Sequence, residues 1–111
     1  MIERVHLVKL KPEHATPRVR RELVDRALAV LPGVPGVAGV TAGAAADDES
    51  RKSWDLLIVV RFGAAADLER FRAHPEHRGF VDQVLAPLTE VFKEWSFECL
   101  DTGPGGKLDP P

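Results

Sequence analysis

The segment Trp54–Phe62, WDLLIVVRF, constrains what this chain can fold into more than any other stretch. Side chains on a strand alternate between its two faces. One set is Trp54, Leu56, Ile58, Val60 and Phe62; the other is Asp55, Leu57, Val59 and Arg61. Both sets have an apolar centre, and a strand that is apolar on both faces should be buried on both. Ile2–Leu10 repeats the pattern, with His6, Val8 and Leu10 on one side and Val5 and Leu7 on the other.

The remaining elements follow from periodicity and punctuation. Thr16-Pro17 reads as a helix start, Thr capping and Pro at the first helical position. Val19, Leu23, Ala27 and Leu31 continue it at helical spacing, with Val24 and Leu28 alongside. Arg18, Arg20, Arg21, Glu22, Asp25 and Arg26 take the opposite, solvated face. Pro32-Gly33-Val34-Pro35-Gly36 ends the helix. Val37–Gly43 is a short strand, and Ala44–Ser53 a solvated loop holding the acidic residues Asp47, Asp48 and Glu49. Asp67–Ala73 is a short helix, Glu76 to about Ala86 a second one, and Val91–Cys99 the last strand. The Gly/Pro-rich segment 101–111 reads as a flexible tail, leaving 1–100 as the domain. The order is β-α-β-β-α-β. It predicts an α+β, ferredoxin-like monomer with a four-stranded antiparallel sheet and helices on one face.

Helices on one face leave Val5, Leu7, Leu57 and Val59 open to water. At about 1.5–3 kcal/mol per large apolar side chain, hiding those four is worth roughly 6–12 kcal/mol per chain. A homodimer with the two sheets stacked into a dimeric α/β barrel is the expected remedy. Arg61 and Lys9 then fall at the rim, where they should pair with acidic groups of the partner.

Charge and cysteine content narrow the function. A formal net charge of −2 over 111 residues argues against nucleic acid or an anionic membrane as partner. The apolar runs are too short to span a bilayer, and the charged start does not read as a signal peptide. Cys99 is the single cysteine, so an internal disulfide and thiol-based zinc sites are excluded. The expected compartment is the cytoplasm.

The stretch Phe71-Arg72-Ala73-His74-Pro75-Glu76-His77-Arg78-Gly79-Phe80-Val81 resembles the stress-responsive α/β barrel domain family, Dabb, which favours an H-P-x-H-x-x-F segment after a short helix. The start MIERVHLVKLKP, the LPGVPGV turn and the Trp54–Phe62 strand are also similar, so the resemblance runs from Met1 to about Glu98. It implies the same dimeric α+β barrel. In plant polyketide cyclases of the olivetolic acid cyclase type, a more distant resemblance, the second His of the motif is the base for an aldol closure. His77 matches that position, while Phe71 and Arg4 stand where those enzymes carry Tyr and His.

By that resemblance a pocket lies between helices and sheet, with Arg4, His6 and His77 as catalytic residues. Val8, Val40, Ile58, Val60, Phe71, His74 and Phe80 would line it for a hydrophobic small molecule. A neutral His77 would abstract a proton beside a carbonyl, and Arg4 or His6 would stabilise the enolate oxygen. This is a cyclase- or isomerase-type step that needs no cofactor. The alternative is a non-catalytic stress-protective or ligand-binding protein, in which His74-Pro75 merely starts a helix. A second alternative is a monooxygenase-like dimeric barrel enzyme. His74 and His77 have tolerable metal-ligand spacing, but Pro75 alters the geometry and only Glu76 or a partner residue offers a third ligand, so no metal is expected.

Overall fold

The structure, a computed structural model, describes residues 1–101; the expected tail from residue 102 onward lies outside them. Four strands form one sheet: β1 (Ile2–Leu10), β2 (Val37–Ala44), β3 (Leu56–Phe62) and β4 (Thr89–Glu98). Their order is β2-β3-β1-β4 and every neighbouring pair is antiparallel. The ferredoxin-like expectation is met, with the two most apolar strands at the centre.

Helix α1 (Pro17–Val30) starts as its sequence predicts. The Thr16 hydroxyl accepts from the Val19 N–H at 3.2 Å, and Pro17 is the first helical residue. Leu23, Ala27 and Leu31 are buried against Val8, Leu10, Leu56, Ile58, Val60 and Phe62 of the sheet. The turn after α1 depends on Gly36, whose φ of 89° is left-handed. A Cβ there would meet Asp67 at 2.9 Å, so only glycine fits.

The elements depart from expectation in three places. A single helical turn, α2 (Asp48–Arg51), sits inside the expected loop. Its cap is Asp47, whose carboxylate accepts from the Ser50 N–H at 2.8 Å, which is one physical use for the acidic cluster. The expected helix Glu76–Ala86 divides into α4 (Pro75–Gly79) and a π-helical stretch, Phe80–Leu85, after α3 (Ala65–Ala73). A 3-10 turn, Ala86–Leu88, follows it and holds Pro87, which has no N–H to extend the helical ladder. The third departure is at the start of β3. Asp55 was expected on the open face, yet it is buried beneath α1 next to Leu56. Its carboxylate accepts from the Leu10 N–H at 2.8 Å and from Arg20 at 3.0 Å. Arg20 therefore leaves the solvated face assigned to it. Alternation fails here because the carboxylate satisfies a backbone donor and a cation that the core would otherwise leave bare.

Among the described residues the other face of the sheet is left open by the helices, with only the single turn α2 meeting its rim at Lys9. Leu57 is 40 % exposed, Trp95 47 % and Phe97 52 %. Val5 pairs laterally with Val59 and Trp95, and Leu7 with Leu57, so these side chains share that face. Trp95 and Phe97 extend the apolar patch beyond the four residues expected. Arg61 finds its partners in its own chain, Glu3 at 2.8 Å and Thr41 at 2.9 Å. Lys9 donates to the Arg51 carbonyl at 2.6 Å. Within the single chain both cations therefore already have partners.

Candidate functional site

Register places the first half of the site. Alternation along β1 turns Arg4, His6 and Val8 toward the helices, and antiparallel pairing sets His6 opposite Glu94 and Arg4 opposite Ser96. Arg4 donates to the Glu94 carboxylate at 2.7 Å and to the Ser96 hydroxyl at 3.0 Å. His6 is 2 % exposed and its Nδ1 lies 3.1 Å from the Ile58 carbonyl. A carbonyl only accepts, so Nδ1 carries the proton and Nε2 of the neutral ring keeps its lone pair.

Local sequence places the second half. His74 caps α4: its Nδ1 accepts from the Glu76 N–H at 3.1 Å, and Pro75 follows at the first helical position. That start turns His77 inward, to 2 % exposure. Its ring packs on Phe71 with centroids 4.1 Å apart and approaches His6 edge-on at 5.9 Å. The fold thus brings the two imidazoles together. Phe92 stacks on the other side of His6 at 6.0 Å.

Among the described residues four buried polar atoms converge here without a well-formed hydrogen bond: Arg4 Nε, His6 Nε2, and both ring nitrogens of His77, the last with the Arg72 backbone carbonyl close to its ring. Each such group costs about 1–3 kcal/mol when left unpaired, and native folds keep few of them without a use. They border a cleft of about 600 Å³ lined by Arg4, Glu69, Arg72, His77, Arg78, Phe92 and Glu94.

This lining differs from the expected apolar one. Val8, Ile58, Val60 and Phe71 are sealed in the core, Phe80 is nearly so, and Val40 packs against it. They support the cleft rather than face it, and His74 serves as a helix cap. Arg4 and His77 line the cleft, and His6 lies directly behind it. Glu94, Phe92, Arg72 and Arg78 were not anticipated. Arg72 and Arg78 flank His77 in the motif itself. Glu94 and Phe92 follow from β4 alternation only once its register against β1 is known.

Electrostatics keeps both imidazoles neutral. Burial pushes His6 down to about 4, with the Glu94 carboxylate opposing the shift. Burial likewise lowers His77, opposed by the Glu94 carboxylate and by the Arg72 backbone carbonyl. Unfolded His6 titrates near 6.5, so below that pH the unfolded chain takes up a proton that the folded chain refuses down to about 4. Stability should therefore be full above pH 6.5 and fall through that window, by up to about 3 kcal/mol from His6 alone. Urea unfolding in a chelating buffer at pH 7.5 and 4.5 checks this; His6→Gln should lose part of the slope.

The cluster also has a metal-like aspect. One ligand atom each from His6, His77 and Glu94 lie within 4.8 Å of one another. The pairing of His74 with His77 considered from spacing is not the one the fold assembles.

Among solved structures the chain is similar to a Dabb protein with a ferredoxin-like fold from Mesorhizobium loti. They share 22 % identity over 89 % of this chain and 96 % of that one, with a TM-score of 0.73. A dimeric ferredoxin-like protein of unknown function from Thermobifida fusca shares 22 % identity over 88 % and 90 % of the two chains, with a TM-score of 0.72. A candidate antibiotic biosynthesis monooxygenase from Deinococcus radiodurans shares 16 % over 91 % and 94 %, with a TM-score of 0.69. No curated protein matches the chain in sequence at a significant level. With its sheet order, its H-P-x-H turn and a family profile matching residues 2–101, the chain belongs to the stress responsive A/B barrel domain family, Dabb.

Proposed function

We propose that this chain works as a homodimer joined through its open sheet face, and that the cleft at His77 moves a proton on a small carbonyl compound in a cyclase- or isomerase-type step. The observation carrying the catalytic part is a buried imidazole, His77, at the edge of a cleft, with no side-chain partner for either nitrogen among the described residues; an N–H turned to the Arg72 carbonyl leaves the other nitrogen free as a base. A neutral ring is the form that accepts a proton. Arg4 Nε–H is a fixed, desolvated donor for the oxygen that becomes negative. The lining shifts the expected ligand from hydrophobic to polar. Arg72 and Arg78 at the mouth suit a carboxylate on the substrate, and Phe92 offers one apolar wall. The dimer rests on the exposed Leu57, Trp95 and Phe97 and agrees with the dimeric Thermobifida fusca protein. The likeness to the Deinococcus radiodurans protein is one of fold and brings no chemistry with it.

The test is turnover of a panel of β-polyketones bearing a carboxylate. His77→Ala should lower the rate by about 10²–10⁴-fold; an unchanged rate would eliminate His77 as the base. A second reading, binding without catalysis, draws on His74, whose capping role gives the H-P-x-H segment a structural purpose. That reading gains if the wild type binds these compounds and turns none of them over.

A further inference from the structure

We propose that His6, His77 and Glu94 form a binding site for a divalent transition-metal ion, of the two-histidine, one-carboxylate kind. Their ligand atoms fall within 4.8 Å of one another. A bound ion with ligand distances near 2.1 Å needs them about 3.4 Å apart, so binding requires the Glu94 and His77 side chains to turn toward His6. His6 is already set as a ligand. Its Nδ1–H is held by the Ile58 carbonyl, so Nε2 presents its lone pair inward, the arrangement by which a backbone carbonyl orients a metal-bound imidazole. That Nε2 and both nitrogens of His77 are buried and have no side-chain partner among the described residues. Arg4 holds one oxygen of Glu94, Oε2, and the carboxylate has a second, Oε1. Two imidazoles and one carboxylate favour zinc, cobalt or iron over calcium and magnesium, which prefer oxygen. The nearby arginines oppose a dication, and they equally suit an anionic ligand completing its open coordination positions.

This inference goes beyond the proton-transfer reading and stands apart from it. An ion on His77 would take the lone pair that the base needs, so metal and proton transfer exclude each other at this ring.

The test uses tag-free, chelator-stripped protein, titrated with Co²⁺ by visible absorption and with Zn²⁺ by calorimetry. One ion per chain is expected, together with a Zn²⁺-dependent rise in Tm. Glu94→Gln lies at the part-exposed edge of the cleft and leaves the core intact. It should weaken binding at least as much as the roughly 10–100-fold that outer-shell changes cost. His6→Gln, checked for folding by circular dichroism, should do the same, and His74→Ala should bind like the wild type. No binding by the wild type, or equal binding by Glu94→Gln and His6→Gln, overturns the site, the latter marking an adventitious ion. Turnover in EDTA tests the proton-transfer reading separately. Zn²⁺ that binds but does not inhibit an active preparation would place the ion elsewhere.

Discussion

The double variant Leu57→Lys/Trp95→Lys is expected to sediment as a monomer at micromolar concentration where the wild type sediments as a dimer. Both side chains stand on the open face and are 40 % and 47 % exposed in the single chain. Burying a large apolar side chain is worth about 1.5–3 kcal/mol, and each substitution acts twice in a symmetric interface. Since less than half of each side chain is left for a partner to cover, the double variant removes roughly 3–5 kcal/mol per dimer, about two to four decades in dissociation constant. Because neither residue belongs to the core beneath the helices, the variant's circular dichroism should match the wild type's. Sedimentation equilibrium decides the matter, and a wild type already monomeric at micromolar concentration would end the proposal of pairing through this face.

Asp55→Ala should cost about 3–5 kcal/mol of stability, read from urea unfolding. The carboxylate is almost fully buried and receives both the Leu10 N–H and the Arg20 guanidinium. Removing it strands a desolvated cation and a backbone donor at once, and the loss is larger than the pair's net worth. The joint replacement Asp55→Leu/Arg20→Leu should recover much of it, since no charge is then left unpaired. If Asp55→Ala alone were within 0.5 kcal/mol of wild type, on the order of a surface substitution, this contact would not pin α1 to the sheet.

Which features could be read before the fold was known follows from how far apart their causes lie in the chain. The β1 and β3 faces were legible because alternation is a property of a few consecutive residues. So were the Thr16-Pro17 helix start and, through the H-P-x-H resemblance, the inward His77. The burial of both strands gave the need for a second molecule, though it missed Trp95 and Phe97, which join that face only through the β1–β4 register. The site was half legible. Arg4, His6 and His77 do gather, but the apolar residues expected around them turned out to be core, because the helices pack directly on Val8, Ile58 and Val60.

Sequence by itself determined the alternation of β1 and β3, the Thr16-Pro17 helix start, the turn at Gly36 and the family. Tertiary structure alone decided that Glu94 faces His6, that Asp55 reaches Arg20, and that the cleft is charged. The physical reason is that these contacts join residues from 35 to 88 positions apart. Their identity depends on strand register and helix docking, which are set by the whole core at once rather than by any local run of side chains.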